Sequence, residues 1–187
     1  MENIDEKTTD EEIVLRVQAG DKEVFGVFVD RYQGKLLRYG RKFLAQKEEI
    51  EDMVQNVFIS AYQNILGFDV TQKFSSWIYR IAHNAFVNAL RKSKTQYLSI
   101  DFDTLLSHPA YEDPDTKERE QKETRALIDE GLEDIPVKYR EVLVLHYLED
   151  LPYKEIAEIL EVPIGTVGVR IKRAKEFIKE KIDKNKL

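Results

Sequence analysis

The sequence predicts an all-α fold: two small helical domains joined by a flexible acidic linker, the C-terminal one a four-helix domain with a helix-turn-helix. Three observations point there. Apolar residues recur at three- and four-residue spacing through most of the chain, and only Gln96–Ile100 offers even a weak strand. From about Lys94 to Glu120 the apolar stripe disappears, acids accumulate, and His108-Pro109 and Asp113-Pro114 interrupt any helix. Near the C-terminus a short amphipathic helix, a tight turn and a longer basic helix follow one another. The expected boundaries are 8–94 for the first domain, 95–120 for the linker and 121–187 for the second domain.

Taken in order, a short helix is expected from Asp10 to Ala19. Asp21 is positioned to cap the next, whose apolar residues are Phe25, Phe28, Val29, Tyr32, Leu36 and Phe43. A third begins after Gln46, is striped by Ile50, Met53, Val54, Val57, Phe58, Ala61 and Ile65, and stops near Gly67. A fourth runs from about Phe74 to Lys94, with Trp77, Ile78, Ile81, Ala85 and Ala89 expected inside. Trp77 reads as core in preference to a nucleic-acid stacking residue, because a Trp at helical spacing usually serves packing.

Beyond the linker, Asp113 and Pro114 form an N-cap and first-turn pair for a helix to about Asp134. Ile135-Pro136 starts another, with Tyr139, Val142, Leu143, Leu145 and Tyr147 packing inward, and Asp150-Leu-Pro152 opens the helix Tyr153–Leu160. After the turn Glu161-Val-Pro163, the last helix recurs at Val167, Ile171, Ala174 and Ile178, one buried stripe of a 3.6-residue helix. Gly165, Val169, Lys172 and Arg173 then face away from it. A helix pinned on one side and basic on the other suits the major groove of DNA.

Charge is segregated in the same sense. The 187 residues carry a net charge of −6, yet 164–187 holds 8 basic against 3 acidic side chains and 95–125 holds 4 basic against 8 acidic. Phosphate contact is local and salt-screened, so a basic terminal helix can bind DNA inside an acidic protein, while the overall field weakens unaided binding and points to a partner that holds it there. Zero cysteines exclude disulfides and thiolate metal sites, and three histidines far apart in sequence argue against a histidine metal centre. No apolar window approaches a membrane span and the N-terminus is acidic, so a cytoplasmic protein with no direct membrane insertion is expected. The carboxylates lie on amphipathic polar faces and no Ser/His/Asp, Cys/His or metal-ligand set converges. No catalytic residue, cofactor or metal is expected, and the protein is read as no enzyme.

Several segments together resemble one family. Ile135-Pro-Val-Lys-Tyr-Arg140, Leu151-Pro-Tyr-Lys-Glu-Ile-Ala-Glu-Ile-Leu160 and Pro163-Ile-Gly-Thr-Val-Gly-Val-Arg-Ile-Lys-Arg-Ala174 resemble the upstream-promoter-reading domain of bacterial extracytoplasmic-function (ECF) sigma factors. Glu51-Asp-Met-Val-Gln-Asn-Val-Phe-Ile-Ser-Ala-Tyr62 and Phe74-Ser-Ser-Trp-Ile-Tyr-Arg-Ile-Ala-His-Asn84 are similar to its core-polymerase-binding helix and its downstream-promoter helix. The resemblance runs from about Asp10 to Ile182 in the family's order.

What the resemblance implies is a dissociable RNA polymerase subunit that directs core enzyme to specific promoters and assists strand opening. Asp52, Gln55 and Asn56 would meet the β′ clamp helices, and the β flap is a further expected contact. Phe68, Asp69, Arg80, His83, Asn84, Asn88 and Arg91 would hold the melted −10 element. Thr166, Gly168, Val169, Arg170, Lys172 and Arg173 would meet duplex DNA at −35. Lys172 lies nearer the helix start on the outward face, so it is expected to read bases and Arg173 to anchor phosphate. An anti-sigma factor is an implied partner. The chain departs from the family's usual residues at Asn56, where an acid is common, at His83 and Asn88, where Arg and Asp are common, and at Gly168, where Lys or Arg is common. The competing expectation is a self-sufficient helix-turn-helix regulator with a ligand-sensing helical first domain. It calls for an apolar ligand cavity where the first domain instead presents polar helix faces.

Overall fold

The computed structural model describes residues 7–93 and 135–185, apart from the side chains of 91–93 and 180–185. The expected helix from Asp113 to Asp134, the weak strand at 96–100 and the acidic linker lie outside these residues. Cα proximity divides the chain after Lys94 into two compact units, and every described element is helical.

The first unit begins with α1 (Asp10–Gln18), started by a capping box: the Thr9 hydroxyl accepts from the Glu12 amide, and the Glu12 carboxylate accepts from the Thr9 amide at 2.7 Å. A 3-10 turn (Lys22–Phe25) leads into α2 (Gly26–Gly40), followed by α3 (Lys47–Asn64), a 3-10 turn (Ile65–Gly67) and α4 (Phe74–Ser93). Asp21 does not cap as expected. Its carboxylate is taken by Arg16 at 2.7 Å, and the chain enters the 3-10 turn without a side-chain cap.

An aromatic core holds this unit together. Phe28 of α2 stacks on Phe74 of α4 with centroids 3.9 Å apart, and Tyr32, Tyr39, Phe43, Tyr79 and Phe86 meet edge-on or stacked around them. Burying one such ring stabilises by about 1.5–3 kcal/mol, so these contacts dominate the unit's cohesion. Tyr32 is also pinned from its polar end, its hydroxyl donating to Asp10, which in turn pairs with Arg31 at 2.6 Å. Burial, with that carboxylate beside it, pushes the Tyr32 hydroxyl far above its ordinary pKa. Gly40 ends α2 where no larger residue fits: a Cβ there would lie 2.7 Å from Ile50 and 2.8 Å from the Phe86 ring.

Of the residues expected inside α4, Ile78 is buried, but the centre of the buried face lies beside the strip expected. Phe74, Ile78, Ala82 and Phe86 are fully buried, joined by Tyr79, His83 and Leu90. Trp77, Ile81, Ala85 and Ala89 form the adjacent, half-buried strip. Both strips are apolar at i, i+4, so periodicity alone does not choose between them. Trp77 packs partly inward, 5.0 Å from Phe68 and 5.6 Å from Phe74 between centroids.

In the second unit, α5 (Val137–Leu143) widens into a π-helical turn (Val144–Leu148), with the Glu149 amide donating to the Val144 carbonyl at 3.1 Å. Then come α6 (Tyr153–Leu160) and α7 (Ile164–Asn185). The expected inward residues Tyr139, Val142, Leu143, Leu145 and Tyr147 are all buried. Glu161 ends α6 in the left-handed region (φ 55, ψ 43), and the Val162 amide donates back to the Ala157 carbonyl at 3.1 Å. That reversal makes the turn tight enough to set α7 against α5 and α6.

Candidate nucleic-acid interface

On α7 the buried stripe is Val167, Ile171, Ala174 and Ile178, as the periodicity predicts. Lys172 and Gly165 are exposed, and Thr166, Gly168, Val169 and Arg173 are half-buried. The cations divide. Arg170 turns inward and pairs with the buried Glu141 of α5 at 2.7 Å. Arg173 donates to the Tyr139 hydroxyl at 3.3 Å, and the Lys175 ammonium lies 5.7 Å from the centre of the Tyr147 ring. Among the described α7 side chains, Lys172 and Lys179 are the exposed cations. The Arg170 side chain is 16% exposed and set against the Glu141 carboxylate, so it is less available to DNA than the exposed Lys172.

The second cluster lies where α3 ends and α4 begins. Asp69 closes the loop on itself, its Oδ1 accepting from the Thr71 amide at 2.9 Å and the Thr71 hydroxyl at 2.8 Å. The Thr71 amide is the main reason the Asp69 carboxyl is held below the usual carboxylate pKa. Phe68 does not face outward; it is 7% exposed and packs against Phe74 and Trp77, forming the floor of the loop. His83 also turns inward. It is 8% exposed, its Nδ1 lies 3.0 Å from the Tyr39 hydroxyl, and it faces the core because it lies one turn from Tyr79 on the buried side of α4. Asn84 and Asn88 are exposed and Arg80 is half-buried, so these keep the outward strip of α4. The side chain of Arg91 lies outside the described residues.

The third face is on α3. Asp52, Gln55 and Asn56 are exposed together, one turn apart, and Gln55 borders a shallow groove between α2 and α3 lined by Val29, Leu37, Val54 and Phe58. Further along, Ile59 and Tyr62 of the same helix and Leu66 of the 3-10 turn after it are exposed large apolar residues.

Of four residues that shape these sites, Glu141, Glu11 and Gln18 have no role in the sequence reading and Tyr139 is expected only to pack inward. Glu141 and Tyr139 hold the α7 cations from a separation of 29 and 34 residues, and Glu11 and Gln18 of α1 reach the loop across 63 and 50. No local pattern marks contacts of that range.

Residues 28–96 match the family model described as Sigma-70 region 2, and residues 125–178 match Sigma-70, region 4. The chain is 34% identical over 184 residues to the ECF RNA polymerase sigma factor SigW of Bacillus subtilis (strain 168), covering 90% of this chain and 94% of that protein. It is 36% identical over 184 residues to the ECF RNA polymerase sigma-E factor of Haemophilus influenzae, covering 95% and 97%. In fold it is similar to the sigma factor RpoE in its co-crystal with the anti-sigma factor NepR from Bartonella quintana, with a TM-score of 0.60 at 19% identity over 85% of this chain and 96% of that one. Helical units matching regions 2 and 4, and identity to curated members over nearly their whole length, establish that the chain belongs to the ECF RNA polymerase sigma factors.

Proposed function

We propose a division of labour within this sigma factor, which directs core RNA polymerase to specific promoters and assists strand opening in transcription initiation. Residues 8–94 bind core polymerase through Asp52, Gln55 and Asn56 on α3, facing the β′ clamp helices, and hold the melted −10 element with the Asp69 loop and Arg80, Asn84, Asn88 and Arg91 of α4. Residues 121–187 lay α7 in the major groove at −35, with the β flap as a second polymerase contact, and residues 95–120 tether the two. One observation carries the DNA assignment: α7 hides a single apolar stripe and turns Arg170 inward, leaving Lys172 exposed on its outer face.

Lys172 is then the base reader and Arg173 the phosphate anchor, with Thr166, Gly168 and Val169 lying along the DNA. Strand opening draws on binding energy for unpaired bases, and the chain has no Gly-x-x-x-x-Gly-Lys sequence of the kind that cradles nucleotide phosphates. The reading is that of a cytoplasmic, non-enzymatic initiation factor. No helix among the described residues is long and apolar enough to cross a membrane. We extend an anti-sigma partner to this chain because a factor of the same fold is held by one.

The test is in vitro transcription with core polymerase and a promoter library. The expected result is start sites that share both an upstream and a downstream element and appear only when this chain is added. Tight, selective duplex binding by the chain without core polymerase, and no added transcription with it, would overturn the proposal.

A further inference from the structure

The loop assigned to −10 capture is held at both ends by α1, a helix with no assigned part in DNA binding. At the loop's start, the Gln18 side-chain amide donates to the Ile65 carbonyl at 2.8 Å and the Phe68 carbonyl at 2.9 Å. At its end, the Glu11 carboxylate accepts from the Phe74 amide at 3.1 Å. The first amides of a helix have no partner within it, and Lys73, which precedes α4, has no acceptor in its side chain to supply one. Glu11 does so from another helix, and its negative charge suits the positive end of the α4 dipole.

Glu11 and Gln18 stand seven residues apart, two turns, so they lie on one face of α1 about 10 Å from each other. That face acts as a ruler. It sets the distance between the end of the 3-10 turn after α3 and the start of α4, while Phe68 plugs the floor against Phe74 and Trp77 and Asp69 ties the loop internally to Thr71. A loop restrained at both ends, beneath and within has little conformational entropy left to lose when a base enters. α1 is itself fixed, by Ile13, Val14 and Val17 in the core and by the Asp10 contacts to Tyr32 and Arg31.

We infer that Glu11 and Gln18 are positioning residues for promoter recognition: α1 sets the shape of the 65–74 loop and so its selectivity for the unpaired −10 base. The inference rests on the reading that this loop captures DNA, and the experiment separates the two. Holoenzyme assembled from core polymerase and the full chain is titrated with single-stranded oligonucleotides carrying either the −10 sequence selected in the library assay or a scrambled one. Four variants are compared: Gln18→Leu, which keeps bulk and removes the donor; Glu11→Leu; Glu11→Gln, which keeps an acceptor; and a loop replacement putting Gly-Ser-Gly-Ser at 69–72.

Gln18→Leu and Glu11→Leu are expected to lower the preference for the selected over the scrambled strand by roughly 3- to 10-fold, the scale of one or two lost hydrogen bonds. Glu11→Gln is expected to keep most of that preference. Faster hydrogen exchange at the Phe74 amide in Glu11→Leu, with Trp77 fluorescence unchanged, shows that a cap was lost and the fold was not. If the loop replacement abolishes preference while Gln18→Leu and Glu11→Leu leave it intact, α1 does not position the loop and the inference fails alone. If the loop replacement also leaves preference intact, the loop does not read DNA and both fall. Equal loss of both strands in the Leu variants reports a general defect and overturns the inference as well.

Discussion

Arg170→Ala separates a structural cation from a DNA-contacting one. In the structure the Arg170 guanidinium lies 2.7 Å from Glu141, with side-chain exposures of 16% and 9%. Removing one member of a buried pair typically costs about 3–5 kcal/mol, because the other is left charged and unpaired. Two features reduce that figure here. Arg170 Nε is buried without a hydrogen-bond partner, so truncation also removes an unsatisfied donor, and Glu141 keeps other interactions. The expected loss is about 2–3 kcal/mol. For a unit of this size that lowers its Tm by about 8 °C or more.

Trp77 is the only tryptophan and belongs to the first unit, so its fluorescence serves as a control. The second unit is followed by amide exchange along α5 and α7 in the full chain. Arg170→Met with Glu141→Gln should recover part of the loss, since neither partner is then a buried lone charge. Suppose instead that Arg170→Ala leaves α7 exchange unchanged within about 0.5 kcal/mol and flattens the salt dependence of promoter binding by about one phosphate contact. Arg170 would then be a DNA contact, and its placement against Glu141 would be refuted.

Gly40→Ala should destabilise the first unit by about 1–3 kcal/mol in a denaturant melt followed by Trp77, because the added methyl would sit 2.7 Å from Ile50 and 2.8 Å from Phe86; an unchanged midpoint would mean that α2, α3 and α4 part easily there. Glu161→Gly should stabilise the second unit by up to about 1 kcal/mol, since φ 55 is disfavoured for any residue with a Cβ, and a loss of stability would show that the Glu161 side chain has a role of its own. Lys172→Ala should weaken binding to the preferred −35 sequence by about 1–3 kcal/mol and to a scrambled one by much less, whereas Arg173→Ala should weaken both alike; the reverse pattern exchanges their roles. Asp69 is held below the ordinary carboxylate pKa by the Thr71 amide, so its loop contact is complete above about pH 4 and lost as pH falls through the lowered value. The Thr71 amide resonance should titrate with a midpoint below that of an unhindered aspartate, and a midpoint at or above it would mean that the turn is open in solution.

The sequence alone determined the parts that depend on one-sided burial. The α7 stripe of Val167, Ile171, Ala174 and Ile178 could be read because only one face of that helix is apolar. Membership of the ECF family was legible for a similar reason, since its motifs are contiguous runs on single helices. Tertiary structure alone decided which of two equally apolar strips α4 buries, and with it that His83 faces inward. It also decided which cation of α7 is structural: helical phase turns Lys172 outward, but the ion pair that engages Arg170 depends on Glu141, 29 residues away. The clamp of α1 on the 65–74 loop belongs to the same class. Glu11 and Gln18 are ordinary polar residues on a helix until folding brings the Phe74 amide and the Ile65 and Phe68 carbonyls to them, and hydrogen bonds across 47 to 63 residues leave no periodic or local trace in a sequence.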